Sequence, residues 1–204
     1  MPKKIILVRH GETDHNKSKR LMNWANDVGS LTEKGREEAN QVGARLKNYD
    51  IDAVYVSDLK RTRETAVEIA KHIKVEQKLA YGIKERNLGI FGDLTFDEIK
   101  DKWPEKFEKF MDHKDKDWNG FEGESIRDVC NRFEIFFNVL HSDHIDQTVL
   151  LVTHSGILYT VLRDYFGFLP EGTWLDVAHT SLTILEKVDD KYVMKTFNNV
   201  DDQT

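Results

Sequence analysis

Three short apolar runs constrain this chain more than any other feature: residues 5–8 (Ile-Ile-Leu-Val), 53–56 (Ala-Val-Tyr-Val) and 149–152 (Val-Leu-Leu-Val). Each carries β-branched residues and ends abruptly in polar ones. A strand apolar on both faces has to be covered on both faces, as in a parallel sheet with helices on either side. Helical patterns lie between these runs. Over 32–47, Ala39, Val42 and Leu46 share one face, with Thr32 as N-cap. Over 59–73, Thr62, Thr65, Ala66, Ile69, Ala70 and Ile73 follow the i, i+3, i+4, i+7 rule. Thr95 and Glu98 have the capping-box spacing of a helix that must stop before Pro104. Ser125 and Asp128 open a helix with an Ile126, Val129, Cys130, Phe133, Phe137, Leu140 stripe, and a further helix follows Ser155. Residues 181–186 and 192–196, split by Asp189-Asp190, read as a hairpin or edge pair. The expected fold is a three-layer α/β/α sandwich, its central sheet mostly parallel with an antiparallel edge.

Composition narrows the function classes. The 204 residues suit a single domain, 1–204, with no break or linker. About 95–123 is charged and aromatic without a strand signal, and reads as a partly helical excursion over the sheet edge. The net charge is −6 with no basic stripe, which speaks against nucleic acid as a partner. No run approaches the roughly 20 apolar residues of a membrane span, and the N-terminal run is too short for a signal peptide. A lone cysteine, Cys130, fits a reducing compartment. The expected location is cytoplasmic.

Chemistry gathers where the three runs end. After the first comes Arg9-His10-Gly11-Glu12-Thr13; after the second, Ser57-Asp58-Leu59-Lys60-Arg61; after the third, Thr153-His154-Ser155-Gly156. In an open α/β sheet, ligands bind beyond the carboxyl ends of the strands. Parallel strands would bring Arg9, His10, Arg61 and His154 to one rim, an anion pocket whose guanidinium forks match phosphate oxygens. Backbone N–H groups near Ser57 and Ser155, where helices begin, could add to it. Such a pocket suits phosphoryl transfer to a neutral imidazole, His10, held in one tautomer by a hydrogen bond from its second nitrogen. A leaving alkoxide needs a proton, and Glu85 is the candidate acid, chosen weakly from many acidic residues.

These residues resemble a known family, the phosphoglycerate mutase-like histidine phosphatase superfamily in its shorter branch. Leu7-Val8-Arg9-His10-Gly11-Glu12-Thr13 with Asn16 carries the resemblance, together with Leu31-Thr32-Glu33-Lys34-Gly35-Arg36, Ser57-Asp58-Leu59 with Arg61, Thr65 and Ala66, Glu85 through Gly89, Gly123-Glu124-Ser125 with Arg132, and Thr153-His154-Ser155-Gly156. One Arg-His-Gly would be a weak signal, but these motifs keep their order and spacing over nearly the whole chain. The resemblance implies a phosphohistidine on His10. Arg9, Arg61, His154, Asn16 and Ser155 would hold the phosphoryl group, and Glu85 would act as acid and then base. It implies no metal and no organic cofactor, and a small phosphorylated metabolite as substrate. Monomer and homodimer both stay open.

The chain also departs from the family. Met22-Asn23-Trp24 stands where Gln-Gly often follows the arginine that Arg20 matches, in a longer loop over 20–31. Gly92-Asp93 replaces a Glu-Gly, and Ser155-Gly156 a Gly-Gly. Mutases of the family carry an arginine-bearing insertion after the Glu85 region, whereas residues 100–121 hold no arginine. That favours a metal-independent phosphatase acting on a small phosphomonoester. A cofactor-dependent phosphoglycerate mutase is the alternative, and a non-catalytic module that binds phosphorylated ligands is the second. Among the remaining residues, His15 and His179 are candidates for the pocket lining. Trp24, Trp118 and Phe121 read as pocket walls slightly in preference to plain packing. His141 and His144 share a helix face but lack a third metal ligand. Cys130 reads as core, and 114–117 as a solvated charge run.

Overall fold

A computed structural model describes residues 1–24, 27, 29–170, 173 and 175–200. Part of the 20–31 loop and the polar tail expected beyond Asn198, from residue 201 on, lie outside the described residues. Six strands form one sheet: β1 (Lys4–Arg9), β2 (Ala53–Val56), β3 (Gln77–Leu79), β4 (Thr148–Thr153), β5 (Leu182–Val188) and β6 (Lys191–Asn199). Their order is β3-β2-β4-β1-β5-β6. The first four are parallel, while β5 and β6 close one edge as an antiparallel hairpin. The expected architecture is observed.

Alternation along the strands explains the layers. Ile5, Leu7, Ala53, Tyr55, Val149 and Leu151 join one core, with Val129, Phe133, Phe137 and Leu140 of α6 (Ile126–Asp143) and with Ile157 and Leu158 of α7 (Ser155–Thr160). The intervening Ile6, Val8, Val54, Val56, Leu150 and Val152 join the other. There they meet Val42 and Leu46 of α2 (Glu33–Leu46) and Ala66 and Ile69 of α3 (Lys60–Ala70). Each of the larger of these side chains, Val, Leu, Ile or Phe, contributes about 1.5–3 kcal/mol on burial, so slipping one strand by a residue would exchange its two core sets and is strongly disfavoured.

A third core belongs to the excursion. Phe91, Ile99, Phe110 and Phe121 are buried together, with Trp103 and Trp118 packed against them. The Phe91 and Phe121 rings stack at 5.3 Å. Phe121 and Trp118 are therefore packing residues rather than pocket walls. Two helices span the segment, α4 (Phe96–Lys102) and α5 (Pro104–Asp112). The Thr95–Glu98 capping box opens α4, and Pro104 forces Trp103 out of the helical region, ending it as expected. The same proline sits comfortably in the first turn of α5, a helix the sequence reading did not separate out.

Candidate active site

Register sets the centre of the site. β1 and β4 are neighbours with Arg9 opposite Thr153, so His10 and His154 leave adjacent strands at the same level. Their ring centroids are 5.3 Å apart. The rings thus meet on one side of one rim, as the sequence required. His10 is 1% exposed, and its Nδ1 lies 2.8 Å from the Gly11 carbonyl. A carbonyl only accepts, so Nδ1 carries the proton and Nε2 keeps a free lone pair. Burial, reinforced by Arg61 and Arg9, holds His10 well below the usual imidazole range. It is neutral at physiological pH, the state a nucleophilic imidazole needs.

The glycines here have a steric reason. A Cβ on Gly11 would lie 2.3 Å from the Gly35 carbonyl oxygen, and one on Gly35 would lie 2.0 Å from that of Glu12. The turn after β1 and the start of α2 therefore touch backbone to backbone. Gly11 N–H also donates to Thr65 Oγ1 on α3 at 3.1 Å. The short helix α1 (Asp14–Lys17) begins with a capping box in which Thr13 and Asn16 bond reciprocally. Asn16 lines the cavity as well as closing that capping box.

Arg61 sits in the first turn of α3, where a cation is disfavoured by the helix dipole. It is completely buried. Its Nε donates to His154 Nδ1 at 3.1 Å, so His154 carries its proton on Nε2 and donates to Ser57 Oγ at 2.8 Å. Both ring nitrogens of His154 are thus engaged with protein, and the ring orients the Arg61 guanidinium. Both Nη groups of Arg61 and the Nε of Arg9 are buried without a protein partner among the described residues. Arg9 Nη1 is held by the Val177 carbonyl. Leaving such donors unmatched costs on the order of 1–3 kcal/mol each, and their arrangement suits an oxyanion. Burial lowers Arg61 to about 10, which leaves it charged at neutral pH.

Two expectations about backbone donors change. Ser57 N–H is not free for a ligand, since it donates to Val152 within the sheet at 3.0 Å. At the α7 start, Gly156 and Ile157 N–H donate to the Glu85 carboxylate at 3.1 and 3.0 Å. These amides aim the carboxylate rather than a phosphate. A Cβ on Gly156 would stand 2.5 Å from Glu85 Oε1, so glycine is needed there. Ser155 lines the cavity beside it.

The Glu85 backbone is fixed by two donors. Its carbonyl accepts from Trp24 Nε1 and, at 3.0 Å, from Arg132 Nη2. Arg132 is paired with Glu124 at 2.8 Å, and Glu124 accepts from Asn87 N–H at 2.8 Å. This is the physical content of the Gly-Glu-Ser motif with its later arginine. The unusual loop residues join in: Asn23 Nδ2 donates to the Gly89 carbonyl at 2.9 Å.

A cavity of about 560 Å³ opens over these groups. Arg9, His10, Arg61, Glu85 and Ser155 line it from the strand ends; Leu21, Met22, Leu88, Phe96 and Phe110 give it an apolar wall. The sequence reading missed the 175–180 segment as a whole. It kept only His179, which stands 6.0 Å from the His10 ring and is lowered by burial to about 4. No strand or motif signal marks that loop. His15 pairs instead with Asp14 and Asp93. His144 bonds Tyr55 and Gln147, and His141 packs on Phe137. Cys130 is only partly buried, against the core placement expected. In the 114–117 run, Lys116 reaches inward to the buried Asp164 at 3.1 Å, while Asp117 pairs with Arg127 at the surface. Among the described residues, no helix is long and apolar enough to cross a membrane.

A doubly covered sheet whose strand ends bring a buried neutral imidazole up against two guanidinium groups defines a phosphoryl-transfer enzyme of the histidine type. Residues 5–200 match the model of the histidine phosphatase superfamily (branch 1), and the chain belongs to that family. Its enzymatic class is that of a histidine-type phosphatase. Phosphoserine phosphatase 1 of Hydrogenobacter thermophilus is 33% identical over 153 residues, 74% of this chain and 71% of its own. A 2,3-bisphosphoglycerate-dependent phosphoglycerate mutase of Bartonella henselae is 31% identical over 178 residues, 84% of this chain and 85% of its own. The solved structure of Bacillus stearothermophilus YhfR superposes with a TM-score of 0.86 at 28% identity, covering 98% of both chains.

Proposed function

We propose that this chain, as one domain over 1–204, hydrolyses a small phosphomonoester through a phosphohistidine on His10 and without a metal. The observation that carries the reading is the His10 imidazole: buried, neutral, its Nδ1–H given to the Gly11 carbonyl, and its ring beside His154 and Arg61. In the first step Nε2 forms a bond to phosphorus as the ester P–O bond breaks, and Glu85 delivers a proton to the departing oxygen. In the second, Glu85 takes a proton from water as the water oxygen attacks phosphorus and the P–N bond breaks. Arg9 and Arg61 neutralise the equatorial oxygens throughout, the part a metal takes in other phosphoryl-transfer sites. His154 acts through Arg61, and Asn16 and Ser155 complete the phosphoryl end of the cavity.

The phosphatase named among the relatives makes O-phosphoserine the first substrate to try. The test is rapid quenching with a ³²P-labelled phosphomonoester. An acid-labile, base-stable label on the wild type, absent from His10→Ala, supports the reading; turnover without such a label overturns it. The mutase reading draws on the Bartonella henselae relative. It requires that phosphoglycerate isomerise, and only after a bisphosphate primer is added.

A further inference from the structure

Arg9 takes its aim from a stretch of chain that belongs to no helix or strand, residues 175–178. Its Nη1 donates to the Val177 carbonyl there, while its Nε is buried without a protein partner among the described residues. Val177 is buried in the core on the α6 side of the sheet, which holds the residue in place. The tilt of its carbonyl is a matter for hydrogen bonds. Among the described residues, one side chain besides Arg9 bonds the 175–178 backbone, and it comes from the far end of the chain. Asn198 Oδ1 accepts from Ala178 N–H at 2.7 Å, and its Nδ2 donates to the Asp176 carbonyl at 3.0 Å. Val177 C=O and Ala178 N–H are two ends of one trans peptide unit and point in opposite directions. Asn198 therefore holds that unit from one side and Arg9 meets it from the other. Fixing the N–H aims the carbonyl, and the bond on the far side polarises it towards the guanidinium.

The sheet edge is bent to make this reach. Leu182 pairs with Asn199 and Ile184 with Thr196, so β6 carries one residue more than β5 over that interval. Asn198 lies within the bulge, in the left-handed region at φ 52°, and its N–H donates to Thr183 Oγ1 at 3.3 Å. A bulge re-aims a side chain that a regular strand would send along the pleat. Asparagine tolerates that φ and carries an acceptor and a donor on one planar group, matched here to an N–H and a C=O. We propose that Asn198 is a positioning residue for Arg9: by clamping the Asp176–Ala178 backbone it sets the direction of the Val177 carbonyl, and through it the guanidinium that holds the phosphoryl group. The proposal rests on the reading of Arg9 as a phosphoryl ligand. Asp176 and Val177 line the cavity, whereas Asn198 stands behind them and acts through them.

Affinity for inorganic phosphate, measured by calorimetry, tests this without relying on turnover. Asn198→Gly keeps the positive φ without strain and removes both clamp bonds. It should weaken phosphate about five- to tenfold, the size expected when one charge-assisted hydrogen bond is loosened rather than deleted. Asn198→Asp keeps an acceptor for Ala178 N–H and should recover part of the loss. In an Arg9→Met background, Asn198→Gly should change phosphate affinity less than about twofold, because the two residues act in one network. Asn199→Ala removes the neighbouring side-chain bond from Arg45 and leaves the clamp intact, so it reports general loosening of the β6 end; phosphate affinity should stay at the wild-type value. Equal losses from Asn198→Gly with and without Arg9 overturn the proposal, as does unchanged affinity in Asn198→Gly or an equal loss in Asn199→Ala. If Arg9→Met binds phosphate as tightly as wild type, the reading of Arg9 fails and the proposal falls with it. If Arg9→Met weakens phosphate and Asn198→Gly does not, that reading stands and the proposal alone is overturned.

Discussion

One added methyl group at Gly156 should be felt at Glu85, because the new Cβ would stand 2.5 Å from Oε1 of a carboxylate held by two helix amides. The backbone has little room to yield, so the carboxylate moves. Gly156→Ala is expected to lower kcat/KM about 10²-fold, the usual cost of misplacing a catalytic group by about an ångström. Thermal unfolding should move far less than activity, and a parallel melting curve checks that. Glu85→Gln keeps the shape and removes the proton. It is expected to cost about 10²-fold or more on an alkyl phosphate, whose leaving oxygen needs protonation. On p-nitrophenyl phosphate, whose leaving group needs little help, the loss in kcat/KM should be much smaller. Equal losses on both substrates would remove Glu85 from the acid role.

Between elements, the decisive contact is the backbone meeting of the His10 turn and α2. Gly35→Ala would press a Cβ to within 2.0 Å of the Glu12 carbonyl oxygen, and both segments would have to part. Stability and turnover should fall together, seen as a drop of several degrees in Tm and a matching loss of kcat. Ser125→Ala, by contrast, removes only the N-cap of α6 and should cost about 1 kcal/mol in urea unfolding, with activity per folded molecule retained. These elements also show what could be read from the chain alone. The 5–8, 53–56 and 149–152 runs were legible because strands buried on both faces tolerate no polar residue, and Thr32, Thr95 and Ser125 were legible because capping is local chemistry. β3 was not, since Gln77-Lys78-Leu79 is three residues long, half-exposed and placed only by pairing with β2. The partners of Arg9 in the 175–180 loop were equally hidden, as a carbonyl such as that of Val177 leaves no side-chain signature. Cys130 fell on an apolar stripe by spacing, yet α6 turns just enough to leave it at the margin of the core.

Across the whole molecule, buried histidines tie stability to pH. His10 and His154 are held well below the ordinary imidazole range, and His113 and His179 at about 4, in every case mainly by burial. An unfolded chain takes up these protons near pH 6.5 while the folded one refuses them. Stability is therefore full above about 6.5 and is lost as pH falls from there towards 4, each histidine adding up to about 1.4 kcal/mol per pH unit. Urea midpoints at pH 7.5 and 5.5 should show the drop. His113→Asn, tolerable at the positive φ of 53° there, should make it shallower; a drop of unchanged size would contradict the assignment. The excursion, finally, packs around an aromatic cluster of its own, Phe91, Ile99, Phe110 and Phe121, separate from the cores on the two faces of the sheet. A roof built that way can be exchanged while the floor stays intact. A library shuffled over the 95–123 positions outside that cluster is therefore expected to return altered appetites more often than dead protein, scored by a phosphomonoester panel beside soluble yield.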